Sequence, residues 1–381
     1  MFSSPLWVSG FRPFFLLGPV YGPLALVAWL SGVVPSTALW HGHEMTFGFA
    51  VAIICGFILT ALPSWAGTPT VAGWRLAVLA GLWLVGRLAV WAAPWLPAAA
   101  VAAADLALLP ALIVMIAPGL RSVRDRRFRA LPPILAALAA GNVAFHLAAL
   151  AGDPVVAHKA LRWSVDVIGL LFAAVGGFLT PAFTQVAFEQ LGRTGAIRTV
   201  AVIERASAVT ILAWLLADTV APATAWSGGT AAIAAVVHLV RLAQWRGWLA
   251  WRIPVIWVMH LAYLTFVVAL TTQAMSDLGG GWPATGPIHM FTVGALGLMM
   301  IGLMTRVVLR HTGRPVVPRP VMVAGFLLMI PAAATRWMAA VAEGGLWLPL
   351  AAVLWAGPFL VYLGVYGWML VTPSLPRNGR S

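Results

Sequence analysis

Cysteine is almost absent from this sequence: Cys55 is the single thiol among 381 residues. One thiol cannot form a disulfide framework or a thiolate cluster. No Cys-x-x-Cys-His attachment motif and no phosphate-binding glycine loop is present either. These absences exclude a covalently attached haem and leave Cys55, in the middle of an apolar run, as core filling.

Charge is also scarce. Charged residues make up 9% of the chain and hydrophobic residues 62%, and the mean hydropathy is +0.95. Such a balance is typical of an integral membrane protein with many spans. The net charge of +13 does not indicate nucleic-acid binding, because the arginines lie in short loops at the ends of apolar runs and no nucleic-acid motif accompanies them. The first apolar run lacks a basic n-region and a cleavage site, so we interpret it as a retained helix.

Apolar runs of about 18–25 residues recur along the chain, each long enough to cross a bilayer. We predict an all-α integral membrane protein with about twelve transmembrane helices in one polytopic domain over residues 1–381. The predicted spans are 14–32, 43–63, 73–92, 97–117, 131–151, 162–186, 200–220, 226–246, 254–275, 288–309, 319–340 and 346–371.

The loop 118–130 carries five arginines, which indicates a cytoplasmic position. They are Arg121, Arg124, Arg126, Arg127 and Arg129. If every predicted run spans the membrane, both termini are then cytoplasmic. All but four of the 23 Lys and Arg residues fall on the inner side, the exceptions being Arg87, Lys159, Arg162 and Arg336.

One pattern, H-x-x-T-x-G-x7-G, occurs twice, beginning at His43 and at His289. Its members are His43, Thr46, Gly48 and Gly56, and His289, Thr292, Gly294 and Gly302. A third segment keeps the glycines and begins at Ser164. We predict three four-helix pseudo-repeats, roughly 1–127, 128–252 and 253–381, in which helices 2, 6 and 10 are equivalent. The alternative is chance recurrence of the glycines, because small residues let membrane helices pack closely.

Histidine is costly inside a membrane and usually faces the protein interior. His43 and His289 lie at matching depth, so we predict that they hold a metal or a haem; the alternative is a hydrogen-bonded structural pair. A second centre would use His238 with His260, or His41 with His146. The position of His311, at a helix end among arginines, is more typical of an interfacial residue.

Few charged residues fall within the predicted spans. Asp105 either orients an imidazole or passes protons, or it pairs with Arg87 across a helical hairpin. Glu204 is expected to pair with its neighbour Arg205. Arg87, Arg162 and Arg336 gather on the face that holds the outer histidines, where they would clamp haem propionates or remain solvated at loop ends.

Several segments resemble the NnrS family, and together they cover nearly the whole chain. They are Gly10–Phe15, Trp40–Phe49, Gly56–Gly67, Asn142–His146, Pro181–Thr184, His238–Trp248, Trp257–His260 and His289–Pro315. The resemblance implies a bacterial inner-membrane protein that contains haem and copper and acts in nitric oxide metabolism and resistance to nitrosative stress. The motif histidines that it carries over as metal ligands are His41, His43, His146, His238, His260, His289 and His311.

We therefore expect a protein with non-covalent haem b, and copper as a further metal, that binds nitric oxide or passes electrons to it as an oxidoreductase. A membrane or periplasmic electron donor would then be a partner. The twelve-helix, three-unit plan also resembles the catalytic subunit of haem–copper oxidases and nitric oxide reductases. An oxidase-type copper centre is not visible, however, because Ser164 replaces the histidine in the sixth helix and no His-His pair follows in the seventh. Two alternatives remain: a secondary transporter, because twelve helices with internal repeats is a common transporter plan, and a non-catalytic sensor or copper-handling protein.

Overall fold

The structure is a computed structural model that describes residues 4–35, 37–121, 123, 126–192, 197–342 and 345–376. Within these ranges the chain forms helices and no strand. Twelve of the helices have 18 residues or more. They are α1 Phe11–Leu30, α2 Ala38–Ala66, α3 Trp74–Trp91, α4 Ala98–Arg121, α5 Phe128–Leu150, α6 Pro154–Gln190, α7 Ala201–Val220, α8 Ala225–Gln244, α9 Pro254–Asp277, α10 Thr285–His311, α11 Pro320–Val341 and α12 Trp347–Val371.

Eleven of the long helices in the described part of the chain are apolar enough to cross a membrane. The exception is α7, which has the required length but carries Glu204, Arg205 and Asp218. Each of the twelve predicted runs overlaps one long helix. The prediction of a multi-span all-α membrane protein is confirmed. Eleven of the described helices are apolar enough to span a membrane, one fewer than the twelve spans predicted. The arginine-rich loop includes Arg124, which lies outside the described residues.

Local sequence explains where α2 begins and ends. Thr37 caps its first turn, because the Thr37 hydroxyl accepts a hydrogen bond from the Trp40 backbone N–H at 3.2 Å. At the other end Gly67 adopts a left-handed conformation with φ 65°, which glycine reaches without steric cost. The helix between these two residues carries the first copy of the repeated pattern.

Two π-helical segments interrupt the long helices at matching positions. Glu44–Ala50 in α2 directly follows His43, and Met290–Leu296 in α10 directly follows His289. The two copies of the pattern therefore share a backbone irregularity as well as residues. Single π turns inside α-helices often occur at functional sites. Helix α6, which has Ser164 in place of the histidine, is α-helical throughout its length, and the threefold repeat remains a prediction.

Contacts divide the chain into two compact units. The first comprises Met1–Val167, Val307–Pro315 and Tyr362–Ser381, and the second comprises Ile168–Arg306 and Val316–Val361. In the first unit α1 packs on α2, and α4 packs on both α3 and α5. In the second unit α8 packs between α7 and α9, and α10 packs between α9 and α11.

Arg12 forms hydrogen bonds with the C-terminal end of α12 within the first unit. Its guanidinium donates to the carbonyl oxygens of Leu370 at 2.9 Å and Thr372 at 2.7 Å, and to the hydroxyl of Ser374 at 3.0 Å. The end of a helix leaves carbonyl groups without intrahelical partners. Arg12, although buried, thus supplies the donors that this helix end lacks.

Candidate metal site

The first unit contains a buried polar cluster that begins at His43. Nδ1 of His43 lies 2.8 Å from Oε1 of Glu44, and the Glu44 side chain is completely buried. Arg87 donates to the same oxygen of Glu44, and the hydroxyl of Tyr21 donates to the other. Adjacent residues of a regular helix face in different directions. Here the π-helical segment starts at Glu44, and both side chains enter one cluster.

Asp105 on α4 is the centre of the cluster. Its Oδ2 accepts from Nδ2 of Asn142 at 2.8 Å and lies 2.9 Å from Nε2 of His146 and 3.2 Å from Nε2 of His43. Arg87 on α3 forms an ion pair with the other oxygen of Asp105. The predicted buried pair between Asp105 and Arg87 across the α3–α4 hairpin is confirmed. The guanidinium of Arg87 is engaged by two carboxylates inside the protein, away from a solvated loop end.

Three side chains of the cluster could together hold a metal ion. One ligand atom each from His43, Asp105 and His146 lies within 4.8 Å of the others, and all three residues are buried. Two imidazoles and one carboxylate are a donor set that binds first-row transition metals and leaves coordination positions open. The contact from Glu44 to Nδ1 of His43 orients the ring, as carboxylates commonly do for metal-ligating histidines.

Aromatic packing holds the His43 ring in place, and little empty space remains beside the cluster. The His43 ring stacks on Phe145, with centroids 4.5 Å apart. A cavity of about 10 Å³, close to the smallest volume that holds a water molecule, borders Asp105 and Asn142. Gly48 allows the close packing, because a methyl group there would come within 2.5 Å of the Tyr21 ring. The site therefore suits an ion and a very small ligand.

A second buried polar cluster lies in the other unit, around Arg241 on α8. Nε of Arg241 donates to Glu204 at 3.1 Å, and Nη1 donates to the Ala173 carbonyl and to the Tyr263 hydroxyl, both at 2.9 Å. The expected pairing of Glu204 with Arg205 is therefore wrong. Neighbouring residues on a helix point to different faces, and Glu204 faces α8 instead.

Hydrogen bonding in this second cluster assigns the proton of His238. Nδ1 of His238 lies 2.7 Å from the hydroxyl of Tyr263. Arg241 can only donate, so the Tyr263 oxygen accepts from Arg241 and its O–H donates to Nδ1 of His238. The proton of the neutral ring is then on Nε2. Metal ligation through Nε2 would require the Tyr263–His238 hydrogen bond to reverse.

The other predicted ligands have separate neighbours. Nε2 of His260 lies 2.9 Å from the Thr184 hydroxyl, and Nδ1 of His289 lies 2.7 Å from the Thr285 carbonyl. Two other predicted histidines pack on aromatic rings: His41 stacks on Trp29 with ring centroids 4.2 Å apart, and His311 lies against Phe11 with centroids 5.7 Å apart. Of the predicted arginines, Nε of Arg162 lies 3.3 Å from Oδ2 of Asp166, and Arg336 is partly buried. The pairings of His43 with His289 and of His238 with His260 remain predictions.

Sequence reasoning found two of the three clustered donors and missed the carboxylate that joins them. His43 and His146 were predicted as metal ligands, but in different centres. Asp105 is predicted to orient an imidazole, to pass protons or to pair with Arg87, but not to be a metal ligand itself. Its depth in an apolar helix was the available signal, because an ionisable residue inside a membrane span is usually paired or functional.

The fold and this cluster define a class: a multi-pass α-helical membrane protein with a buried site of two histidines and one aspartate. A protein-family model described as NnrS protein matches residues 5–374. The chain belongs to the NnrS family, which confirms the resemblance found in the sequence. Family membership supports a membrane protein related to nitric oxide. No curated protein matches the chain.

Proposed function

We propose that this protein binds one transition-metal ion at His43, Asp105 and His146 and uses it to bind or reduce nitric oxide within the membrane. The observation that carries the proposal is the convergence of three ligand atoms within 4.8 Å of one another in a buried cluster. Copper is the metal that we favour, because the family resemblance includes it and imidazole is a good copper ligand.

The residues around the donors fit an ion better than a haem at this place. His43 is held on both sides: Glu44 contacts Nδ1, while Asn142 Oδ1 lies 3.1 Å from Nε2. A porphyrin needs a wide slot in front of the histidine nitrogen that ligates its iron. Here Asp105 and Asn142 lie directly in front of Nε2 of His43. We therefore propose that haem b binds elsewhere in the chain, and we favour His289, whose ring is oriented by the contact of Nδ1 with the Thr285 carbonyl.

The chain itself supplies a dry and fixed environment for a small ligand. Asp105 and both histidines are buried, and the neighbouring cavity of about 10 Å³ is close to the volume of a single water-sized molecule. Nitric oxide is small and uncharged and dissolves in lipid, so it needs no polar channel. A bound copper ion would supply a position where nitric oxide is held and accepts electrons. Asn142 and Arg87 keep the Asp105 carboxylate in place.

Metal content tests the site directly. Purified protein should contain copper, and His43→Ala, Asp105→Asn and His146→Ala should each lose most of it. His158→Ala is the matched control, because His158 is exposed and its Nδ1 lies 2.7 Å from the Pro154 carbonyl of its own helix. Full copper in all three site variants would overturn the proposal. Optical and EPR spectra of both redox states, with haem content per chain, test the haem assignment separately.

Turnover separates an enzyme from a sensor. If the reduced protein consumes nitric oxide repeatedly with an added electron donor, it is an oxidoreductase; if it binds one equivalent and stops, it is a sensor or a metal-handling protein.

We further propose that the protein lies in the bacterial inner membrane with both termini cytoplasmic, because positive residues concentrate on one side of the predicted spans. Reporter fusions at the loop 118–130 would test that orientation.

A further inference from the structure

The charges inside the candidate metal site do not balance. Glu44 and Asp105 are two carboxylates, with side-chain exposures of 0% and 1%, and Arg87 is a single guanidinium with 5% exposure. Among the residues that the structure describes, no other Lys or Arg contacts either carboxylate. With neutral imidazoles, the cluster carries one net negative charge in a place where an uncompensated charge is costly.

The hydrogen bonds around His43 identify where a positive charge is needed. Oxygen acceptors face both of its nitrogens: Glu44 Oε1 at Nδ1, and Asn142 Oδ1 and Asp105 Oδ2 at Nε2. A neutral imidazole donates from only one nitrogen. The contact with Glu44 uses the proton on Nδ1 and leaves the Nε2 lone pair pointing at oxygen atoms. Either a second proton on the ring or a metal cation between Nε2 and Asp105 removes that conflict and the net charge together.

We propose that the charge of this cluster sets the midpoint potential of bound copper, and that Glu44, which is not a ligand, lowers that potential because its negative charge stabilises Cu²⁺ more than Cu⁺. The inference rests on the proposed function. The redox step is Cu²⁺ plus one electron giving Cu⁺, with no bond made or broken in the protein. Cu⁺ makes the cluster neutral, whereas Cu²⁺ leaves one positive charge that needs an added anion such as hydroxide or nitrite.

Isosteric substitutions that change the charge test the proposal in both directions. Coulomb energy is proportional to the charge of the ion, so removing a nearby negative charge weakens Cu²⁺ binding more than Cu⁺ binding. Glu44→Gln takes the cluster from one net negative charge to zero and should raise the Cu²⁺/Cu⁺ midpoint potential. Asn142→Asp adds a negative charge beside His43 and should lower it. Tyr21→Phe removes a donor to Glu44 without changing the charge, and it is the neutral control.

The experiment measures copper per chain and the midpoint potential of each purified protein, by redox titration of the Cu²⁺ EPR signal. We expect Glu44→Gln to change the ratio of Cu⁺ to Cu²⁺ binding constants at least tenfold, a rise of about 59 mV for one electron, and Tyr21→Phe to change it less. Equal shifts in these two variants, or a fall in Glu44→Gln, would overturn the inference. If Glu44→Gln does not fold, the sign of the Asn142→Asp shift decides.

The outcomes also separate the two proposals. Wild-type protein without copper at this site overturns the proposed function and this inference together. Copper that His43→Ala removes, with a midpoint potential that does not follow the charge of the cluster, overturns this inference and leaves the metal site standing.

Discussion

His43 and His146 point their Nε2 atoms at the same oxygen of Asp105, at 3.2 and 2.9 Å. The two imidazoles come from α2 and α5, and the carboxylate comes from α4. Three helices of one unit therefore converge on a single oxygen, and Asn142 and Arg87 hold that carboxylate from other directions. A site assembled this way depends on every contact around the aspartate, which makes its neighbours good targets for mutation.

Arg87→Met should be among the most destabilising single changes in the first unit. It removes the cation that pairs with both Glu44 and Asp105 and leaves two carboxylates buried without compensation. Breaking a buried pair in this way costs about 3–5 kcal/mol. Thermal unfolding of the detergent-solubilised protein measures the loss. Arg75→Met is the control: Arg75 is exposed and stacks on Trp74, so a similar loss there would contradict the argument.

Gly48→Ala should destabilise the protein, whereas Gly81→Ala should not. A methyl group at Gly48 would meet the Tyr21 ring at 2.5 Å and Arg87 Cδ at 3.3 Å. Overpacking of this kind costs about 1–3 kcal/mol. Gly81 has open space around it, so alanine there should be neutral or stabilise α3 by up to about 1 kcal/mol. Midpoints of thermal unfolding compare the two variants, and equal effects would show that the packing at Gly48 is not tight.

Tyr263→Phe should lower stability, and Tyr362→Phe should leave it almost unchanged. The Tyr263 hydroxyl bonds Arg241 and His238, so its removal leaves a buried imidazole nitrogen without its donor. We expect a loss of about 1–3 kcal/mol. The Tyr362 hydroxyl is equally buried but has no hydrogen-bond partner in the described chain. Denaturation curves of both variants test this, and a larger loss in Tyr362→Phe would refute the assignment.

Arg12→Met should loosen the end of α12 more than it affects the rest of the chain. The change removes charge-assisted donors from the carbonyls of Leu370 and Thr372, and such bonds contribute about 1.5–3 kcal/mol each. Hydrogen exchange should become faster in residues 369–376. Arg252→Met is a suitable control, because Arg252 stacks on exposed Trp251. Unchanged exchange near Leu370 would show that the helix end is held by other contacts.

Most of the helices could be predicted from the sequence, and the exceptions have physical reasons. All twelve predicted runs coincide with long helices because a bilayer-length apolar run has few other stable conformations. Helix α6 begins at Pro154, earlier than predicted, since its first turns carry His158, Lys159 and Arg162. Apolarity finds the part of a helix inside lipid and misses a polar extension of the same helix.

The candidate site was predicted only in part. The repeated pattern identified His43 and His289, and a π-helical segment directly follows each of them. The pairing of Arg87 with Asp105 followed from their positions on consecutive helices. The meeting of His43 with His146 did not, because hydropathy gives the depth of each residue but not the direction in which it faces around its helix.

By itself, the sequence determined that the chain crosses a membrane many times, that several of its histidines are candidate metal ligands, and that it resembles the NnrS family. These features follow from composition, run length and local motifs. Only the tertiary structure decided which donors share a site. Asp105, Glu44 and Asn142 join His43 and His146 because of how α2, α4 and α5 rotate and pack. That rotation is set by contacts such as Gly48 with Tyr21 and Arg87, between residues far apart in the chain.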